Sequence, residues 1–156
     1  MKKKIIFLGF LAMTAFLLPA SAQQQQSIEQ NKHYQGADAT LQSYKAIYQL
    51  DNASPEIIKK TIRNINNLLS DTRLKGKIQV QLVAFSGGTE AFRKGSPYEQ
   101  DIKQLLEKGV LVSQCLNTLK ERKIDKSELY DFLAYVPSGN GELIIRASQG
   151  WVIVKP

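Results

Sequence analysis

The scarcest reactive residues in this chain are cysteine and histidine, one of each in 156 residues: Cys115 and His33. A single cysteine cannot close an intramolecular disulfide, so the fold is not stapled by one. A single histidine excludes a metal cluster built on histidines. It also excludes a Ser-His-Asp set, because His33 falls in a polar lead segment where a solvated linker residue is the expected role. There is no CxxC pair and no Walker-type phosphate loop. No cofactor and no metal site is expected. The sequence has no arginine cluster and no basic stripe interleaved with aromatics, so nucleic acid is not an expected partner.

The formal net charge of +7 overstates the basic character of the mature protein. Three of the 21 basic residues, Lys2, Lys3 and Lys4, open the chain, which leaves 18 against 14 acidic residues. They form the positive start of a secretory signal peptide over residues 1–22. Residues 5–18 are its apolar core, too short for a comfortable membrane span, Pro19 breaks the helix, and Ala20-Ser21-Ala22 is the small-residue cleavage site. Cleavage after Ala22 predicts a periplasmic or secreted protein with no membrane span in the mature chain. No cysteine follows the cleavage point, which argues against a lipid anchor. In an oxidising compartment a lone thiol is shielded, paired between chains, or used for chemistry.

With 43% hydrophobic and 22% charged residues, the rest has an ordinary globular composition and length enough for one hydrophobic core. Residues 23–42, beginning with four glutamines, lack an apolar period and read as a flexible polar lead segment. The domain is expected over residues 43–156. Residues 44–50 alternate as a first strand, with Ala46, Tyr48 and Leu50 on one face. Ser54-Pro55-Glu56 carries helix-start chemistry: serine as N-cap, proline at the first helical position, a carboxylate in the first turn. Ile58, Ile62, Ile65 and Leu69 then recur at spacings of three and four. Residues 78–85 form a second strand, with Gln79, Gln81 and Val83 opposite its apolar face.

The bend Ser86-Gly87-Gly88 follows. Backbone amides at Gly87 and Gly88 could approach an anion, although two glycines without a longer fingerprint more commonly mark a tight strand-to-helix turn. Residues 89–94 are a short helical turn. Ser96-Pro97-Tyr98-Glu99 repeats the helix-start pattern, with Ile102, Leu105 and Leu106 inward and Gly109 closing the helix. Val110, Leu111 and Val112 are a short apolar run of the kind found in strands covered on both faces. The strand ends at Cys115, and a helix over residues 116–121 follows. Residues 126–130 predict a short helix and residues 132–136 a fourth strand. Residues 138–149 predict a helix with Leu143, Ile144 and Ala147 inward, and residues 151–154 a last, buried strand. Strands alternating with helices predict an α/β fold: a three-layer α/β/α sandwich on a mainly parallel sheet of about five strands, joined by right-handed crossovers.

Three stretches together resemble the DsrE/DsrF-like family, which has the YchN-like fold: the strand at residues 44–50, Gly109-Val110 leading to Cys115-Leu116-Asn117-Thr118-Leu119, and the closing run Val136-Pro137-Ser138-Gly139 to Gln149-Gly150-Trp151. Proteins of this type handle sulfur inside cells, several carry a cysteine persulfide that they pass to a partner, and many are homo-oligomers. The resemblance implies that Cys115 is a sulfur carrier or a sulfurtransferase-like site, that the protein is a trimer or a hexamer, and that a protein sulfur donor or acceptor exists. An exported chain departs from that intracellular setting.

Position adds a physical reason. Chemistry in parallel sheets collects at strand carboxyl ends, and amide dipoles of a following helix favour a thiolate. Asn117 and Thr118 could donate hydrogen bonds to a terminal sulfur. The competing expectation is a non-catalytic oligomeric binding domain of the envelope in which Cys115 is a packed, unreactive residue.

Overall fold

The computed structural model describes residues 20–156. All but the end of the predicted signal peptide therefore lies outside the described residues. The chain divides into two units, residues 1–37 and residues 38–156. In the first, α1 (Ala20–Lys32) is helical where the sequence predicted a flexible lead. It is polar on every side, with a Lys32–Glu29 ion pair at 2.6 Å one turn apart. A helix without an apolar face has nothing to pack, and its sequence carries no period to reveal it.

The second unit runs β1 (Tyr44–Leu50), α2 (Pro55–Ser70), β2 (Ile78–Ala84), a 3-10 segment (Ser86–Phe92), α3 (Glu99–Glu107), β3 (Leu111–Cys115), α4 (Leu116–Arg122), a 3-10 turn (Lys126–Glu128), β4 (Ala134–Val136), α5 (Gly139–Ser148) and β5 (Val152–Val154). All strand pairs are parallel, in the order β4-β3-β2-β1-β5. From β1 to β4 each crossover steps the same way across the sheet. Right-handed crossovers that step one way put their helices on one face. The connection from β4 to β5 runs back across the sheet, so α5 lies on the other.

Two hydrophobic clusters follow from this. On the first face Ala46, Tyr48 and Leu50 of β1 and Val80, Leu82 and Ala84 of β2 pack under Ile58, Ile62 and Ile65 of α2, Ile102 and Leu105 of α3 and Leu119 of α4. Each buried leucine, isoleucine or valine among them contributes about 1.5–3 kcal/mol through burial. On the second face Ile47, Val83 and Leu143 pack with Phe85, Val136 and Trp151. Covering both faces explains why Gln81, predicted opposite the apolar row, is fully buried. Its Nε2 donates to Ser113 Oγ (3.1 Å) and to Glu142 Oε1 (3.0 Å), which also accepts from Arg146 Nε (2.9 Å).

Several expectations change with topology. The strand predicted at residues 151–154 is shorter and lies at an edge, with Val152 64% exposed. Ile144 is 70% exposed and Ala147 is also outward, because only Leu143 of that apolar run meets the sheet. Leu111 is exposed on β3, where one helix cannot roof the whole second face. Ser96 is not the cap of α3, which starts after Tyr98. Its hydroxyl instead bonds Ala91 O (3.1 Å) and the Tyr130 hydroxyl (2.6 Å).

Candidate functional site

Cys115 is the last residue of β3 and the N-cap of α4. Its Sγ accepts the Thr118 N–H at 3.4 Å. The neighbouring strand places Val136 beside it in the ladder, and Pro137 O accepts the Asn117 N–H at 3.2 Å. Here the chain diverges: β3 leads into α4 on the first face, and its neighbour β4 leads into α5 on the second. Neighbouring parallel strands whose connections part in this way leave a crevice at their carboxyl ends, the usual place for a ligand. A cavity of about 460 Å³ occupies it, lined by Phe85, Ser86, Cys115, Asn117, Thr118, Glu121, Arg122, Ser138, Gly139 and Asn140. That volume suits a small ligand or a reaching side chain.

The walls are tied together by polar contacts. Thr118 Oγ1 accepts the Ser86 N–H (3.0 Å), and Arg122 Nη1 donates to Ser86 O (2.9 Å) while Nη2 donates to Glu90 (2.7 Å). Ser86 is held between them at φ 50°, a conformation uncommon for a residue with a side chain. Ser138 caps α5 by accepting the Gly141 N–H at 3.2 Å. A side chain at Gly139 would come within 2.5 Å of the Phe85 ring, so α5 can start this close to β2 only with glycine there.

Cys115 and Thr118 meet in this cavity, as the sequence suggested, and Asn117 lines it with an exposed side chain. Thr118 contributes differently from expectation: its backbone amide reaches the sulfur, while its hydroxyl receives Ser86. Cys115 itself is 4% exposed and lines this cavity. Gly87 and Gly88 are absent from the cavity lining. A Cβ at Gly88 would stand 2.0 Å from Leu50 O, one at Gly87 2.9 Å from Ala53 N, and the Gly88 N–H donates to Phe85 O. The packing of β2's end on β1 accounts for both glycines. Sequence reasoning missed Ser86, Arg122, Ser138 and Asn140. Their only advance signal was position, just after a strand or within the helix that follows Cys115. Among the described residues no three His, Cys, Asp or Glu are grouped to hold a metal ion, and no helix is long and apolar enough to cross a membrane.

An all-parallel five-stranded α/β domain with a cysteine opening into the crevice between β3 and β4 defines the class of protein. The sequence profile of the DsrE/DsrF-like family matches residues 45–156, and the chain belongs to that family. Among solved structures it is similar to MTH1491 of Methanobacterium thermoautotrophicum, a protein of unknown function, at 28% identity and a TM-score of 0.68, over 73% of this chain and all of that one. It is also similar to the ychN protein of E. coli, at 15% identity and a TM-score of 0.57, over 74% of this chain and all of that one. The second likeness is one of fold. No curated protein matches.

Proposed function

We propose that this DsrE-family protein is exported after removal of residues 1–22 and carries sulfane sulfur as a persulfide on Cys115, working as a homo-oligomer, a trimer or hexamer. The observation that carries the reading is the Cys115 sulfur opening into the crevice at the carboxyl ends of β3 and β4. In the loading step the Cys115 thiolate attacks the outer sulfur of a donor R–S–SH. A new S–S bond forms to Cys115, the donor's S–S bond breaks, and the donor leaves as a thiolate. No net oxidation occurs. Delivery is the same exchange in reverse, with an acceptor thiolate taking the outer sulfur. With no second cysteine in the chain, the persulfide has no intramolecular resolving thiol and persists until an external acceptor arrives. The Thr118 N–H already donates to the sulfur, and the side-chain amide of Asn117, without a partner among the described residues, is available to the terminal atom.

Intact mass after incubation with a sulfane-sulfur donor tests the reading. The wild-type protein gains one sulfur atom, and Cys115→Ser, nearly isosteric, keeps its circular dichroism and gains none. A Cys115 that takes up no sulfur, and that thiol reagents reach only after denaturation, would establish the packed, unreactive cysteine of a binding domain instead.

A further inference from the structure

A second cavity lies at the opposite end of the sheet, and nothing in the sulfur chemistry uses it. It measures about 510 Å³ and opens beside the amino ends of β1 and β2. Its walls are mainly apolar, among them Leu68, Leu74, Ile78, Val152 and Val154, and Ser43, Tyr44, Lys45 and Gln149 also line it. Tyr48 also lines it, and this residue is the informative one. It is 5% exposed, and its hydroxyl makes no hydrogen bond among the described residues. Among the described residues, the unpartnered side-chain atoms sealed from solvent are Gln81 Oε1 and Gln114 Oε1. The Tyr48 hydroxyl is not one of them, and Tyr48 lines the cavity. Buried phenols normally find a hydrogen-bond partner. A concave, mainly apolar site of a few hundred cubic ångströms with a few polar groups is the usual form of a small-molecule pocket.

Lysines flank the cavity: Lys45 is among its lining residues. Leu74 comes from the turn between α2 and β2, which also bears Lys75 and Lys77. Both are exposed, and neither holds an ion pair among the described residues. The acidic residue of that turn, Asp71, is already paired with Arg73 at 2.6 Å. We infer that this cavity binds a free fatty-acid-type carboxylate: the tail lies on the aliphatic walls, the Tyr48 hydroxyl donates to the ligand, and Lys75 and Lys77 attract its charge. A bounded cavity favours one amphiphile over a flat lipid surface. The site is independent of Cys115, so it stands or falls separately from sulfur loading.

Titration with dodecanoate below its micelle concentration, followed by amide NMR shifts, tests the inference. Saturable shifts are expected at Ala46, Tyr48, Val152 and Val154. Tyr48→Phe weakens binding about threefold to tenfold, the loss of one hydrogen bond. The surface pair Lys75→Glu with Lys77→Glu weakens dodecanoate, leaves dodecanol unchanged, and removes the salt dependence. The inference is overturned if neither substitution weakens binding, or if the shifts fall outside the cavity. It is equally overturned if the wall shifts appear only with anionic vesicles and not with free dodecanoate. Wall shifts that appear without ligand as protein concentration rises would assign the groove to a second copy of the chain and also reject it.

Discussion

The face of the sheet under α2, α3 and α4 holds a continuous apolar core, whereas the face under α5 holds a small apolar cluster beside a polar chain that runs from buried Gln81 and Ser113 to the half-buried Glu142 and Arg146. The difference comes from topology. Three connections that step in one direction supply three helices to one face, and the single return connection supplies one helix to the other. One helix cannot roof five strands, so Leu111 on β3 and Ile153 on β5 stay exposed. The same asymmetry makes the crevice: α4 and α5 leave neighbouring strands toward opposite faces, and Cys115 sits where they part. The thickly covered face contributes most of the stability, and the thinly covered one leaves room for chemistry.

The comparison breaks if the first face is not the main store of stability. Ile65 is fully buried between α2 and the sheet. Ile65→Ala should destabilise the protein by about 2–5 kcal/mol, through lost burial and the cavity left behind. Urea unfolding measures it. A cost below about 1 kcal/mol would mean that the site collapses freely and that the core is looser than the packing indicates.

On the second face the largest effect should be polar. Glu142 accepts from both Gln81 Nε2 and Arg146 Nε, and Gln81 Oε1 already has no partner. Glu142→Ala leaves the buried Gln81 amide with Ser113 alone. The expected cost is about 1–3 kcal/mol, that of an unsatisfied buried group. Glu142→Gln keeps an acceptor and should recover part of it. If Glu142→Ala unfolds at the wild-type urea midpoint, the network adds nothing to the second face.

How much of this was legible in the sequence follows the same division. β1, β2 and the inward row Ile58, Ile62 and Ile65 were readable because one face of each meets a core, which leaves a period in the residues. Cys115 at a strand end, with a helix after it, was readable from Gly109 and the run behind it. The outward turn of Ile144 was not, since three consecutive apolar residues on a helix span most of its circumference and only the neighbours decide which one packs. The exposure of β5 depends on its being an edge, a property of strand order. The clamp on Ser86 joins residues 32 and 36 apart in sequence, and no local pattern encodes such a contact. Gln81 could be placed only opposite the apolar row, because a covered polar position differs from an exposed one only in its partners.

The smallest expected effect concerns how the edge strand β5 is held, and it sharpens the contrast between well-packed and weakly attached parts. Lys155, just past β5, donates from Nζ to Asp51 Oδ2 at 2.9 Å, and Gln49 Nε2 donates to the same oxygen at 2.9 Å. Partial burial pushes the Asp51 carboxyl up, but the hydrogen bonds from Lys155 and Gln49 and the nearby positive charge outweigh it and hold the carboxyl below its ordinary 3.8. A carboxyl lowered by folding stabilises the native state fully above that ordinary value, and the contribution disappears as pH falls through the lower folded value. Lys155 is 63% exposed, so water screens the pair and the effect at neutral pH should stay within about 1 kcal/mol. Lys155→Ala should therefore move the Asp51 titration upward, toward 3.8, and flatten the acid limb of stability against pH, with the neutral-pH stability almost unchanged. Carboxyl NMR titration of both proteins reads this directly. An Asp51 that titrates identically with and without Lys155 would leave β5 held by its ladder to β1 alone.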